Sequence, residues 1–318
     1  MYFCNLIYIY TKLMLRQEPI KAKWHLVALA RAKDYNQLLK PNLSGMVVFS
    51  SVIGYLLAPN IHFLWNDFIL WRQIITLFVG GMLVTGGANT INQILERESD
   101  QLMQRTRNRP MPDGRMNHIE AWIFAAFTGI SGALLLSYYF NPQAGLLSFF
   151  SLLLYAFAYT PMKKVHPVAV LIGAIPGALP PLIGWVAATG HFDLAGWVLF
   201  TLQFFWQFPH FWAIAWVAFD DYNRAGIRML PTREKETRFT GIQCMLYSLV
   251  LIPMAMVPHV MGITGTIGMW VCVLCGLMYF AASILFYLKN DHKSARRVMF
   301  ASFIYLPSIL LALVIDKM

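Results

Sequence analysis

Nine stretches of this chain are apolar over about the 20 residues that a helix needs to cross a bilayer. They are centred near Val48, Gly80, Gly129, Leu153, Ala174, Phe204, Leu251, Val273 and Ile309. Inside hydrocarbon a backbone N–H or C=O finds no water, so each must be paired within its own segment, and such runs fold as packed helices. The expected fold class is therefore all-α, a polytopic membrane protein with nine transmembrane helices. Composition excludes the soluble alternatives, since 58% of the 318 residues are hydrophobic and 13% are charged, against about 25% charged in ordinary soluble domains.

The Lys and Arg residues fix the direction of threading. They precede the first run (Lys12 to Lys40), then follow the second (Arg97 to Arg115), the fourth (Lys163 and Lys164), the sixth (Arg224 to Arg238) and the eighth (Lys289 to Arg297). Only Arg72 and Lys317 lie elsewhere. Nine spans place every populated segment on one face, which the positive-inside rule makes cytoplasmic. The N-terminus is then cytoplasmic and the C-terminus outside. The net charge of +10 reports this topology, so the lipid bilayer is the partner it needs and no nucleic acid is implied.

Residues 1–40 read as a basic, partly amphipathic extension ahead of a single domain over 41–318. Met1 to Leu15 is apolar but too short to span, and lacks the leading basic region of a signal peptide. Met14 is an alternative start. Trp24 to Leu39 has the character of a surface helix, and Lys40-Pro41 introduces the first span. The Tyr- and Ile-rich beginning lacks the Arg/Ser richness of a mitochondrial presequence, which points to a bacterial cytoplasmic membrane. Cys272 and Cys275 form C-x-x-C inside an apolar span, a packing context, and with Cys4 and Cys244 they give no disulfide framework.

The loops are unequal. Short turns occupy one side, whereas two long charged loops, near 97–117 and 218–240, occupy the cytoplasmic side, where function tends to collect. Each follows an even-numbered span and carries acids followed by bases, the pattern of a weak internal repeat with a site between its halves.

In the first loop region Asn92, Glu96 and Asp100 recur every fourth residue and share one helix face. Carboxylates near membrane depth are costly unless they face a polar cavity or a partner, and Glu96 and Asp100 repel at this spacing. A divalent cation relieves that repulsion, and hard carboxylate and amide oxygens suit Mg²⁺ held together with phosphate oxygens. Arg105 and Arg109 just downstream can grip the same phosphates bidentately. The alternative is a solvated helix end with ordinary i, i+4 pairs. In the second loop Asp220 or Asp221 either completes a metal cage or caps a short helix.

Two further segments are unusual. Trp206-Gln207-Phe208-Pro209-His210 puts a proline and an ionisable ring into an apolar run, roughly 15 Å deeper than Asp220 in a continuous helix. His210 there either faces a large flat ligand or is a hydrogen-bonded packing residue. The fifth span carries Pro176, Pro180 and Pro181 among glycines, a bent helix suited to line a cavity. Tyr159-Thr160-Pro161-Met162-Lys163-Lys164 before it brings two cations to the cytoplasmic side, within reach of the same diphosphate.

Taken as a set, these segments carry a resemblance. Asn92-x-x-x-Glu96-x-x-x-Asp100 with Arg105-Thr106-x-Asn108-Arg109-Pro110 resembles the first signature of the intramembrane prenyltransferase superfamily. Trp206-Gln207-x-Pro209-His210, Asp221-Tyr222-x-x-Ala225-Gly226-Ile227 and Met229-Leu230-Pro231 resemble its heme-farnesylating branch, over a region from about Lys40 to the last span. The resemblance implies nine helices around a central cavity and transfer of a farnesyl group from farnesyl diphosphate to a vinyl group of heme B. The product, heme O, supplies heme-copper terminal oxidases, so heme A synthase or oxidase assembly factors are implied partners.

The same resemblance assigns Mg²⁺ to Asn92, Glu96 and Asp100, with Asp220 or Asp221 contributing from the second loop. It gives Arg105, Arg109 and Lys164, with Asp221, to catalysis, and Trp206, His210, Tyr159 and Lys163 to substrate binding. Three departures stand out. Glu96 replaces a more usual Asp, the second loop lacks a D-x-x-x-D spacing, and Arg228 stands where proline is common before Met-Leu-Pro. A sister prenyltransferase acting on a quinone precursor or other aromatic acceptor would share the metal site. A cation or metabolite transporter would instead carry charge deep within several spans, whereas here the acids cluster at span ends.

Overall fold

The computed structural model describes residues 20–62, 64–232 and 238–318, with side chains from residue 24 onward. The expectations for Met1 to Leu15, Met14 and Cys4 lie outside the described residues, as do Arg233 and Lys235. Helices α1 (Ile20–Leu39), α2 (Pro41–Leu57), α3 (Phe68–Leu95), α4 (Arg97–Leu102), α5 (His118–Tyr139) and α6 (Pro142–Leu153) come first. A π-helical turn, Leu154–Tyr159, then runs into α7 (Thr160–Val165) and α8 (Ala169–Thr189). The rest comprises α9 (Leu194–Val217), α10 (Phe219–Arg224), α11 (Phe239–Met254), α12 (Val257–Val260), α13 (Thr266–Lys289) and α14 (His292–Ile315). No strand occurs among the described residues.

Local chemistry sets the helix ends. Asp67 accepts from the N–H groups of Ile69 and Leu70 to start α3, and Asn117 and Asn141 cap α5 and α6 in the same way. Asp193 starts α9, and Asp291 with Ser294 forms a reciprocal capping box on α14, each satisfying N–H groups that have no intrahelical partner. Pro41 follows Lys40, whose φ of 46° turns the chain sharply out of α1.

By length and apolarity, seven units among the described residues can cross a membrane: α3, α5, Pro142–Val165, α8, Phe239–Val260, α13 and α14. The two other expected spans are helical but fall outside that set. Helix α2 has 17 residues, and α9, although 24 residues long, carries Gln203, Gln207 and His210. Nine spans are counted only when both are added. Large apolar side chains such as Ile123, Phe127 and Leu134 on α5 point outward, as a lipid-facing surface requires.

Two bundles emerge from the packing. Helices α2, α3, α5, α6 and α8 pack as one group, and α9, α11, α13 and α14 as another, joined by contacts of α8 with α9 and of α2 with α14. Close approach at the α2–α8 crossing depends on glycine. A Cβ on Gly184 would lie 1.7 Å from the Ser51 carbonyl oxygen, and one on Gly54 would lie 2.0 Å from that of Pro181.

The prolines of α8 have a further consequence. Pro180 and Pro181 cannot donate to the carbonyls four residues back, which frees those of Pro176 and Gly177. Ser151 Oγ donates to Pro176 O at 3.2 Å, and Gln203 Nε2 to Gly177 O at 2.8 Å. Gln207 Nε2 also donates to Ala174 O, at 3.1 Å. The helix breakers thereby become acceptors that tie α8 to α6 and α9.

At the end of α2 remote from Lys40, the C-terminal residues close the structure. Lys317 Nζ donates to the carbonyls of Leu56, Ala58 and Ile61 at 2.8, 2.6 and 2.5 Å. Asp316 accepts from Gly268 N–H at 2.6 Å, at the start of α13.

Candidate active site

Helix α3 is buried on all sides near its C-terminal end, from Gly86 to Ile94, and this carries Asn92 into the interior. The helix breaks at Glu96, yet the Asp100 N–H donates to Glu96 O at 2.7 Å. The four-residue phase therefore continues into α4, and the expected stripe of Asn92, Glu96 and Asp100 forms, with all three buried.

Cations from three other segments converge on it. Lys163 Nζ from α7 lies 2.5 Å from Glu96 Oε1, while Asn92 Nδ2 donates to Glu96 Oε2 at 2.9 Å. Lys40 Nζ donates to Asn92 Oδ1 at 3.1 Å. Arg109 Nη1 donates to Asp100 Oδ2 at 2.8 Å, and Thr106 Oγ1 holds the Asp100 carbonyl at 2.9 Å. Thr160 Oγ1 receives a longer contact from Asn92 Nδ2, at 3.3 Å. The π-helical turn re-phases the chain so that the buried Tyr159 ring lies beneath the Lys163 ammonium, 4.7 Å from its centroid. Such insertions recur at functional sites.

Environment drives the two carboxyls apart. Burial works to raise Glu96, but the charge and hydrogen bond of Lys163, with Lys40 and Asn92, hold it below its ordinary range. Burial wins at Asp100, where the Glu96 charge adds to it and Arg109 only partly opposes, so Asp100 is raised. Lys40 is brought down to about 7, first by burial and then by Arg109 and Lys163, against the pull of Glu96 and Asp100.

Other expected residues occupy different surroundings. Arg105 bridges the two long charged loops, its Nη2 donating to Tyr222 Oη at 3.4 Å. Asp221 is paired with Arg224, three residues on, and Asp220 is exposed. Among the described residues no group of three or more His, Cys, Asp or Glu side chains could hold a metal. Arg224 thus holds the partly buried Asp221, and solvent takes Asp220. Lys164 is exposed. His210 is buried against α14, with Nδ1 2.7 Å from Ser302 Oγ and the Trp206 ring stacked 4.6 Å away. Trp206 Nε1 in turn donates to Ser302 O at 3.0 Å. These partners belong to α9 and α14, and the Glu96 cluster is not among them.

What remains fits a hard cation that arrives with its anion. Asp100 Oδ1 is buried without a hydrogen-bond partner, and two carboxylates and an amide oxygen stand on one face. Mg²⁺ binds through a few such oxygens plus substrate phosphates and does not need a preformed protein cage. Sequence reasoning missed Lys40 and Thr160 as members of this cluster. In the sequence Lys40 reads as a topology charge that introduces the first span and Thr160 as part of the Tyr159 to Lys164 segment, and nothing local brings either to Asn92.

Against this geometry the comparisons are informative. The model of the UbiA prenyltransferase family matches residues 47–306, and the chain belongs to that family. It is an integral membrane protein. A protein of Cytophaga hutchinsonii named protoheme IX farnesyltransferase is 43% identical over 283 residues, 89% of this chain and 97% of that protein. One of the same name from Solibacter usitatus is 37% identical over 90% of this chain and 99% of its own. Among solved structures, a digeranylgeranylglyceryl phosphate synthase superposes with a TM-score of 0.71 at 21% identity, covering 90% of this chain and 98% of that one. A UbiA homolog from Archaeoglobus fulgidus bound to GPP and Mg²⁺ gives a TM-score of 0.60 at 14% identity, covering 88% and 99%. At these identities the two structures establish the fold.

Proposed function

We propose that this protein transfers the farnesyl group of farnesyl diphosphate to a vinyl group of heme B, giving heme O in a bacterial cytoplasmic membrane. The observation that carries the reading is the 43% identity, over 89% of this chain, to a protoheme IX farnesyltransferase. The Glu96–Asp100 cluster supports the chemistry.

The reaction needs the allylic C1–O bond to break with its electron pair leaving on diphosphate. Asn92, Glu96 and Asp100 would hold Mg²⁺, which would supply Lewis acidity and neutralise that leaving group. Arg109, Arg105 and Lys163 stand around the same position and stabilise the charge that builds there, with Lys164 at the rim. Glu96 and Asp100 are satisfied largely by Lys163 and Arg109, so on substrate binding the carboxylates would be free to hold the metal and the cations to meet the phosphates. The apolar surroundings exclude water while the allylic cation exists. The vinyl π electrons then form the new C–C bond, and water adds to the resulting cation with loss of a proton.

Asp220 or Asp221 is proposed to contribute to the metal from the second loop, which Arg105 links to the first through Tyr222. The contacts of Trp206 and His210 with Ser302 support a packing role for both. Association with heme A synthase or oxidase assembly factors would place the product beside its consumers. The deciding experiment incubates membranes containing the protein with heme B, farnesyl diphosphate and Mg²⁺, and analyses the hemes by mass. Formation of hydroxyethylfarnesyl heme is expected. A prenylated quinone precursor with unaltered heme B would replace this reading by that of a sister prenyltransferase.

A further inference from the structure

A cavity of about 470 Å³ lies beside the second charged loop, between the α7–α8 connection, the end of α9, α10 and the segment that follows it. Its size falls within the usual range for small-molecule sites. Phe219, Met229 and Leu230 contribute to an apolar floor, and the lip is polar, formed by His166, Asn223 and Arg228. Among the described residues no carboxylate lines it.

The donors on the lip are available. The Arg228 backbone N–H is used, donating to Lys163 O at 2.6 Å, but its side chain is exposed and no partner for the guanidinium occurs among the described residues. Val168 N–H donates to His166 Nδ1 at 3.1 Å. That acceptor role leaves the proton of the neutral ring on Nε2, as a donor. The cavity is also coupled to the cluster at two points. Lys163, whose carbonyl Arg228 holds, carries the ammonium on Glu96, and Tyr222, which lines the cavity, meets Arg105.

An apolar floor under a cationic lip selects an amphipathic anion. A free diphosphate would leave the floor unused and fill little of the volume. A planar apolar ring system with carboxylates along one edge uses both. We infer that this cavity docks the carboxylate edge of the acceptor, with Arg228 as the specificity-determining residue and His166 assisting. The inference rests on the reading of heme B as acceptor, whose propionates are such an edge. It concerns Arg228, which stands where the resemblance leads one to expect proline.

The test compares heme B with its dimethyl ester, in which both carboxylates are masked, using wild type, Arg228→Gln and Arg228→Lys. Arg228→Gln is expected to raise KM for heme B about five- to tenfold, the scale of one charge-assisted hydrogen bond at a partly exposed site. The KM for the diester, the KM for farnesyl diphosphate and inhibition by inorganic diphosphate should stay unchanged, and Arg228→Lys should fall between. His166→Gln should move the same parameter in the same direction by less. An unchanged KM for heme B, or an equal rise for heme B and diester, overturns the inference. Weakened inhibition by inorganic diphosphate overturns it in favour of a diphosphate site. Failure of the wild type to farnesylate either heme refutes the acceptor assignment itself, which the variants do not address.

Discussion

Replacing Lys163 by Met would remove the ammonium from a contact in which both side chains are nearly buried, 10% exposed for Lys163 and 7% for Glu96. Met keeps the length and apolar bulk over Tyr159, so the change is chiefly one of charge. Removing one partner of a buried ion pair costs about 3–5 kcal/mol, because the other charge is stranded. Glu96 has an escape, which is to take up a proton. From its ordinary value of 4.5, protonation at pH 7 costs about 3.4 kcal/mol, and at pH 5 about 0.7 kcal/mol.

The sign follows from linkage. Glu96 is depressed in the wild type, so its stabilisation is present above the unfolded value and fades as pH falls through the folded one. The variant loses that contribution and escapes the stranded charge by protonation. Its deficit should be about 3 kcal/mol at pH 7 and shrink by about 2–3 kcal/mol toward pH 5. Denaturant unfolding in detergent, followed by helicity at both pH values, measures it. Mg²⁺ should also stabilise the variant more than the wild type, since no ammonium competes for Glu96. A deficit below about 1 kcal/mol at pH 7, or one that does not change with pH, refutes the claim that Lys163 holds a buried anion.

Asp100→Asn should lower Mg²⁺-dependent turnover by at least about 100-fold while melting near the wild type, because it removes an anionic ligand from the Mg²⁺ that would neutralise the leaving diphosphate; undiminished heme O formation would remove Asp100 from the metal site. Gly184→Ala should destabilise by roughly 3 kcal/mol, as its Cβ would press on the Ser51 carbonyl, and a chemical melt equal to wild type would show that the α2–α8 crossing is looser than described. An epitope tag after Met318 should be digested by protease added to intact spheroplasts while an N-terminal tag survives; the reverse pattern would invert the orientation, and like behaviour of the two tags would contradict an odd number of spans.

The stripe of Asn92, Glu96 and Asp100 was legible in the sequence because the four-residue period survives the helix break at Glu96. Its counter-cations were only partly legible. Arg109 lies nine residues from Asp100, within one loop, whereas Lys40 reaches Asn92 across 52 residues and is brought there by a crossing that no local pattern encodes. The prolines of α8 announced an irregular helix, but the donors that occupy their freed carbonyls, Ser151 and Gln203, follow from packing alone. His210 was open between ligand and core roles because burial and ionisability look alike in a sequence, and its partner Ser302 lies 92 residues away. The second-loop acids looked like ligands by type. Only the fold reveals that Arg224 takes one of them.

Helix α2 is tied by a lysine at each end, Lys40 to Asn92 at one and Lys317 to the carbonyls of Leu56, Ala58 and Ile61 at the other. At 17 residues it is a strut about 25 Å long. The far end is stapled to the close of α14, which joins the first bundle to the second there. The two bundles are thus pinned at both rims, by that staple at one and by Arg105 on Tyr222 across the two loops at the other.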